Sequence, residues 1–590
     1  MEPLTAFKPL ERVSLPALGD LTTSGLILVV GPNSSGKSQL LQDIYLRLCG
    51  EPRALVVATS IQIRLPEYEP FMAYLEREGY FETVLDDNGN SVWRPLKTYA
   101  GSGQPVGQIQ PQQAQTWHGS HASTPDPKGK RRSEFLNYFG KLMVTGLFLE
   151  RRLSALQQVG PIDFQTQSPQ QDLHALYLDD NASRNLFDEL LASFGKGIWP
   201  DISRGNGVCL RVGDEGDLPS AEDRLSPKKM AAYRQVESEG DGLKSYVATC
   251  IALLLGRRPV CLIDEPEMCL HPPQAYSLGR FVGRQGLDPN TVTIVSTHSS
   301  QVLRGVVQTT KDIQIVRMTR RDGEFLAHLV PAGVLSEALT KPTVRAESVL
   351  DGIFAQSVVV VEADGDRLVY QTVWETLAAE LRLDVHLAAV GGVGGIADTC
   401  KLYRTLKIPV AVIADLDMIT DPGRLRQVME SMATESVTAD ICARSASVMV
   451  AIKKLPPTAD PDSLRSRLRE VVATDSSWKA EGDIATRREL NRIAQQLDRL
   501  RRLKRGGVSA FPTDIERPLR ELLRRLSDCG VFLVPVGELE EWLADAAIGE
   551  SKENKWAWAN AAALHIQAHG PQIGDIWDFV RAVGSFLSAR

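Results

Sequence analysis

Short apolar runs recur along the chain, and most of them stop at a glycine turn or at an acid. Leu26-Ile-Leu-Val-Val30 runs into Gly31, and Gln39-Leu-Leu-Gln-Asp-Ile-Tyr-Leu-Arg-Leu48 follows with apolar positions at helical spacing. Pro259-Val-Cys-Leu-Ile263 stops at Asp264 and Glu265, and Val292-Thr-Ile-Val-Ser296 stops at Thr297-His298-Ser-Ser300. The second half repeats the pattern. Ser357-Val-Val-Val-Val361 ends at Glu362, Leu387-Ala-Ala-Val390 at Gly391, Ile408-Pro-Val-Ala-Val-Ile-Ala414 at Asp415, and Val531-Phe-Leu-Val-Pro-Val536 at Gly537. Helix-like stretches separate these runs, so the predicted fold class is α/β, with parallel sheets in both halves. Ligands of open α/β sheets bind outside the carboxyl ends of the strands, which makes the residues at these ends the first candidates for chemistry.

Between the runs the pattern weakens. From Gly101 to Arg132 the chain is rich in Gln, Gly, Ser and Pro and closes on Lys128-Gly-Lys-Arg-Arg132, which predicts a long, mobile surface loop. Glu134 to Leu156 predicts a helix, and 170–235 predicts short helices with polar connections. The span 61–230 therefore reads as a helical insertion, a candidate dimerisation segment, inside a first domain of residues 1–335. A connection rich in Thr, Ser, Pro and Ala makes 336–355 a linker, and 356–590 forms a second domain with a helical insertion over 425–530. Within that insertion Leu490, Ile493, Leu497, Leu500 and Leu503 fall at helical spacing among Arg487, Arg488, Arg492, Arg499, Arg501, Arg502, Lys504 and Arg505. A solvated face on a packed helix accounts for most of this stripe; it is also the best stretch of the chain for gripping a nucleic-acid backbone.

Composition narrows the class. The chain has 590 residues, 43% hydrophobic and 24% charged, as a globular protein of several domains would. Its net charge of −7 opposes a generally basic nucleic-acid coat. No apolar run is long enough to span a bilayer, so no membrane partner is expected. Met-Glu-Pro-Leu-Thr lacks the layout of a signal peptide, and the eight cysteines form no C-x-x-C pair. A cytoplasmic location without zinc or disulfides is the expectation.

The strongest chemical signal is Gly31-Pro-Asn-Ser-Ser-Gly36-Lys37-Ser38. G-x-x-x-x-G-K-S between a strand and a helix is a phosphate-binding loop. Gly31, Asn33, Ser35 and Gly36 shape the backbone cradle, Lys37 reaches the outer phosphates, and Ser38 completes the shell of a Mg²⁺ ion. Asp264 can hold that ion opposite Ser38, Glu265 can orient or deprotonate the attacking water, and His298 can report on the γ-phosphate. Glu267 and His271 are open between a site role and capping the next helix.

The order G-P-N-S-S-G-K-S, S-E-G-D-G, D-E-P-E-x-x-L-H-P and S-T-H-S resembles the ABC-type ATPase heads of the OLD, RecF and SMC group. That resemblance implies ATP as cofactor and ATP-dependent pairing of two heads in a homodimer or higher homo-oligomer. Ser238, Gly240 and Gly242 would be the signature that caps the partner's nucleotide. Glu239 and Asp241 depart from the usual L-S-G-G-Q, which weakens the expectation of fast turnover. Gln62 is the candidate for the family's glutamine between loop and signature.

In the second half, Glu362, Asp366, Asp415 and Asp417 stand at strand ends and can converge on hard divalent cations, which favour carboxylate oxygen. Such clusters support in-line phosphoryl transfer. The Gly391–Gly395 loop lacks the G-x-G-x-x-G spacing of a dinucleotide site. A glutamate at one strand end with D-x-D about fifty residues later resembles a Toprim domain. The form E-x-x-x-D in Glu362 and Asp366 is most similar to the OLD nucleases, including the Gabija defence nuclease, with Ala363 in place of the usual glycine. The resemblance implies Mg²⁺ or Mn²⁺ at this site, with Ca²⁺ as an alternative second ion, a further metal-binding acid at Glu540, and a lysine, Lys555 or Lys552, that stabilises the transition-state phosphate.

The expectation is an ATP-regulated, metal-dependent nuclease acting on DNA, in phage defence or DNA repair, with a helicase-like or other defence protein as a possible partner. A topoisomerase would need a strand-passage domain with its tyrosine, and a bacterial-type primase a cysteine-rich zinc module. The alternative from another class is a non-cleaving DNA clamp or sensor that switches shape with ATP.

Overall fold

The fold is that of a computed structural model, which describes residues 8–590 apart from 52, 65–66, 78–79, 96–107, 123–134, 150–151, 153–154, 164–168, 170, 221, 256–257, 287–290, 332, 334, 336–340, 342–346, 457–460, 474–485, 489, 492, 494–499, 545, 547, 549–553 and 573. The chain forms two compact units, 1–337 and 338–590.

The first unit is built on a six-stranded sheet. Its strands are β1 (Gly25–Val30), β2 (Val144–Leu147), β3 (Val260–Asp264), β4 (Val292–Ser296), β5 (Ile313–Arg321) and β6 (Glu324–Val330). Their spatial order is β6-β5-β1-β4-β3-β2, with only the β5–β6 pair antiparallel. Parallel strands covered on both faces read as continuous apolar runs, and Leu26 to Val30 is buried throughout. Helix α1 (Lys37–Leu48) leaves the phosphate loop and packs Leu41, Ile44 and Leu48 into the core beneath β1. Its Asp43 is buried and accepts the backbone N–H groups of Val56, Val57 and Ala58 at 2.7–3.2 Å. That cluster of bonds fixes the chain beyond α1 against the loop, where Val57 lies under Gly36.

Three expectations change here. Val144–Leu147, expected as helix, is the edge strand of the main sheet, preceded by one π-helical turn at Leu136–Gly140. Its four residues are buried, and pairing with Val260–Ile263 supplies hydrogen bonds that a helix would have made internally. The segment 61–230 holds strands as well as helices: a hairpin of Phe81–Leu85 and Ser91–Pro95, and an antiparallel sheet of Lys196–Asp201, Cys209–Asp214 and Arg234–Gln235. Pro111–Ala122, inside the expected loop, is a helix; Ile109 just ahead of it bridges to Trp93 of the hairpin. The basic run 128–132 lies outside the described residues.

The second unit carries a four-stranded parallel sheet of β7 (Ser357–Val361), β8 (Val385–Ala389), β9 (Val410–Ala414) and β10 (Val531–Leu533), in the order β8-β7-β9-β10. One face buries Val359, Val361, Tyr370, Trp374, Trp542, Trp558 and Trp577 in a single core. Trp542 Nε1 donates to the Tyr370 hydroxyl at 3.1 Å, so neither polar atom is left unmet in that core. The span 425–530 is helical in its described parts, with Glu435–Lys454, Pro461–Ala473, α4 (Arg501–Gly506) and Thr513–Asp528 as its main helices. Ile493 and Leu503 of the predicted stripe are buried and Arg487 and Arg488 exposed; Leu497, Arg492 and Arg499 lie outside the described residues. Part of the expected linker is ordered within this unit: Glu347–Asp351 is a helical turn, and the Tyr403 hydroxyl donates to Val349 O at 2.6 Å.

Candidate active sites

The first site gathers at the carboxyl ends of β1, β3 and β4. Gly31 takes φ 140°, and a Cβ there would fall 2.0 Å from the Met318 carbonyl of β5, so only glycine lets the loop leave the sheet. Ser34 and Gly36 also take positive φ, 60° and 91°, which curls the backbone between them. Ser35 is buried with a hydroxyl that has no partner among the described residues, whereas Asn33 is exposed and Ser38 half-buried. Lys37 is 4% exposed, and its Nζ donates to Gly31 O and Pro32 O, each at 2.9 Å. Burial pulls its affinity for a proton down, while Glu265, Glu267 and Asp264 oppose that pull. The lysine is thus folded back over its own loop beside three carboxylates.

Asp264 ends β3 and accepts the Ser296 hydroxyl at 2.5 Å. Glu265 follows at φ 44°, its N–H donating to Ser296 O at 3.0 Å. His298 Nδ1 stands 3.3 Å from a carboxylate oxygen of Glu265 and 3.3 Å from one of Glu267. The His298 hydrogen bond holds the Glu265 carboxyl below its usual range, and the same bond raises His298. Glu267 is buried, accepting the Thr297 hydroxyl at 2.7 Å and the His298 N–H at 2.9 Å, and burial raises its carboxyl. It therefore joins the cluster and orients the histidine loop. His271 begins the next helix instead, where its N–H donates to the Gln274 side chain at 3.3 Å.

One expected contributor sits elsewhere. Gln62 is exposed in the middle of strand Ser60–Ile63, opposite Arg12 on a small antiparallel sheet. Ser238 and Gly240 are exposed in the turn that leads into α2 (Asp241–Leu255), and the Ser238 hydroxyl donates to Gln235 O at 2.7 Å. Gly242, one turn on, presses against the Cys269 carbonyl, where a Cβ would come within 2.3 Å. One residue went unread: Arg152, just beyond β2, whose Nη1 donates to the Glu265 carbonyl at 2.9 Å.

The second site lies at the carboxyl ends of β7, β9 and β10. Glu362 ends β7, and Asp366 stands in the first turn of α3 (Asp364–Thr376), its carboxylate accepting the Ala363 N–H at 3.0 Å. Asp415 and Asp417 follow β9, and Glu540 follows β10, buried at 6% exposure. The Gly391–Gly395 loop serves this site as backbone, since Gly392 N–H donates to Glu362 O at 2.9 Å. Burial first, and then the neighbouring acids, push the Asp415 carboxyl up to about 8 and that of Asp366 up to about 6. Glu362 is raised by burial and by Asp417.

Three cations face these acids. Lys555 begins α5 (Lys555–His569), which packs on α3 so closely that Gly365 meets Ala559. Burial works against its charge, but Glu540, Asp415 and Asp366 win and its ammonium is held above its usual range. Lys504 of α4, read in the sequence only as part of the basic stripe, pairs with Asp417 at 2.8 Å. Arg424 acts on Glu362. Lys552 lies outside the described residues. The acids fit a hard divalent cation by chemistry, since all are oxygen donors and repel one another until a cation arrives. Among the described residues, however, no three of them already stand in a ligating arrangement.

Residues 212–304 match the family model "AAA domain, putative AbiEii toxin, Type IV TA system", and residues 353–417 match "Overcoming lysogenization defect protein-like, TOPRIM domain". No match was found among curated proteins. Similar solved structures include the SMC head bound to the C-winged helix domain of ScpA, at 13% identity over 56% of this chain and 100% of that one, with a TM-score of 0.32. The SMC head domain from Thermotoga maritima is 13% identical over 54% and 98%, TM-score 0.28. The Smc head domain with an extended coiled coil from Pyrococcus furiosus is 11% identical over 57% and 99%, TM-score 0.29. Among the described residues no helix is long and apolar enough to cross a membrane.

Proposed function

We propose that this chain, which matches an AAA domain model over residues 212–304 and an OLD-like Toprim model over 353–417, is a divalent-metal-dependent DNA endonuclease whose ATPase half, of ABC type, controls cleavage. The observation that carries the reading is the placement of Glu362, Asp366, Asp415, Asp417 and Glu540 at neighbouring strand ends, where burial and neighbouring acids raise the carboxyls of Glu362, Asp366 and Asp415. A divalent cation bound there supplies an activated water and a counter-charge for the leaving oxygen. The acids hold and orient, while Lys555 offers a fixed positive charge to the phosphate being cut. In the ATPase half, Lys37 and the loop N–H groups would bind phosphates, Ser38 and Asp264 would hold a Mg²⁺ ion, Glu265 would orient water, and His298 would sense the γ-phosphate. Ser238 and Gly240, exposed on their own unit, would cap the nucleotide of a second copy. Phage defence and DNA repair are both uses of such chemistry.

The test is cleavage of supercoiled plasmid with Mg²⁺ or Mn²⁺, comparing the parent protein with Glu362→Ala and Asp415→Ala. Each substitution should lower nicking by about 100-fold or more, as removal of a ligand from a metal-assisted site does. Metal-dependent nicking unchanged in both would refute the site. The alternative from another class is an ATP-switched DNA clamp that does not cut. Binding of DNA without cleavage under every metal and nucleotide condition would support it.

A further inference from the structure

Arg152 lies beyond the end of β2, outside every motif of the phosphate-binding site. Its side chain is wholly buried, at 0% exposure. Nη1 donates to the Glu265 carbonyl at 2.9 Å, while Nε and Nη2 have no hydrogen-bond partner among the described residues. The charges nearest it are those of Asp264, Glu267 and Glu265. Burying a guanidinium with donors unmet is costly, and an apolar side chain would fill the space without that cost. Packing alone therefore does not account for it.

Glu265 gives the reason for a fixed donor at this point. Its φ of 44° is the left-handed region, unfavourable for a residue with a Cβ. Its peptide is held from both sides: the N–H donates to Ser296 O at 3.0 Å, and the carbonyl accepts Met268 N–H at 3.2 Å as well as Arg152. The arginine makes the shorter of the two bonds to that carbonyl, and it reaches across from the segment beyond the neighbouring strand β2. Turning the peptide would swing the carboxylate away from His298.

We propose that Arg152 is a positioning residue of the ATPase centre, pinning the strained Glu265 peptide so that the Glu265 carboxylate faces His298 and the attacking water. It acts through Glu265 and does not touch the nucleotide. The proposal rests on the reading of Glu265 as the residue that orients water.

The experiment compares full-length parent protein with Arg152→Met, Arg152→Lys and Lys37→Ala. It reads the affinity for a fluorescent ATP analogue, kcat and KM for ATP, and backbone hydrogen exchange over residues 264–270 without nucleotide. In Arg152→Met, kcat should fall about tenfold or more while the affinity stays within about threefold, because a misplaced catalytic group costs rate and not binding. The amides of Met268 and Leu270 should exchange faster. Arg152→Lys, which keeps one donor and the charge, should recover part of kcat, and it carries the test if the methionine variant does not fold. Affinity lost in step with kcat would make Arg152 a nucleotide ligand and overturn the proposal, as would unchanged kcat or unchanged exchange. Lys37→Ala separates the underlying reading: nucleotide binding retained there defeats the phosphate-loop assignment whatever Arg152 does. A parent that binds ATP without hydrolysing it defeats the role of Glu265, and the exchange data still decide whether Arg152 pins the turn.

Discussion

Asp415 is the side chain whose surroundings say most about the second site. Its carboxyl is pushed from 3.8 to about 8, by burial first and then by Asp366, Asp417, Glu362 and Glu540. In the unfolded chain that carboxyl is ionised above about pH 4; in the folded one it keeps its proton to much higher pH. Below both values it contributes nothing to stability. Between them the folded state holds a proton the unfolded state has lost, so stability falls as pH rises through that window. The metal-free protein should therefore show a falling Tm for its second unit between pH 5 and pH 8. Asp415→Asn, which removes the charge and keeps the shape, should flatten that fall and raise Tm at pH 8 by about 4 °C, the size expected from relief of ~1–2 kcal/mol. Scanning calorimetry in EDTA checks it, and a slope as steep in the variant as in the parent would count against the assignment. The same proton predicts that metal binding at pH 7 releases protons, measurable as a heat that changes with the ionisation enthalpy of the buffer.

At the scale of the element, strand, loop and helix around Gly31–Ser38 make two kinds of substitution behave oppositely. Gly31→Ala would drive a Cβ to 2.0 Å from the Met318 carbonyl at φ 140°, and backbone on both sides leaves nothing to yield. It should destabilise the first unit by ~3 kcal/mol or more and lose ATP binding through the fold. Lys37→Ala should abolish ATP binding with little loss of stability, because the buried ammonium only bridges two carbonyls of its own loop. Thermal melts beside nucleotide titrations distinguish the two; an unaltered melt for Gly31→Ala would contradict the close approach. Elements of this kind were legible in the sequence because each is a run buried on both faces that ends on its chemistry, as β1, β3, β7 and β9 do. Val144–Leu147 was not legible. It is four residues long, holds Thr and Gly, and sits in a stretch of helical spacing, so its strand character comes from Val260–Ile263, over a hundred residues away. Arg152 was hidden with it, since nothing in Glu-Arg-Arg-Leu marks one arginine as buried. Lys504 was hidden differently, among seven basic neighbours in the sequence, of which Arg487, Arg488 and Arg505 are exposed. Glu267 was half-visible: its place after Asp264-Glu265 was plain, but its hold on Thr297 and His298 needed the fold.

For the whole molecule the open matter is what a second copy would add. On its own unit the site has a loop, a lysine, three acids and a histidine, yet Ser238 and Gly240 are exposed and the Ser238 hydroxyl is satisfied by Gln235 O. Glu239 between them is drawn back to Arg234 at 3.0 Å and Lys196 at 4.0 Å, so its charge need not confront an incoming phosphate. The start of α2 is thus left free to meet an anion carried by another molecule, with the helix terminus favouring negative charge. If two copies close over ATP, Glu265→Gln should trap that state by binding ATP without hydrolysing it. Light scattering on the Glu265→Gln protein should then show at least a doubling of whatever mass it has without nucleotide when ATP and Mg²⁺ are added. Ser238→Arg in that background should prevent the change while leaving ATP binding intact, because the added side chain blocks the cap and not the loop. A mass that ignores ATP, or a Ser238→Arg protein that still associates, would show that the nucleotide acts within one copy. Plasmid cleavage then separates the switch from the blade: Ser238→Arg should alter how cleavage responds to ATP and leave its need for Glu362 and Asp415 untouched.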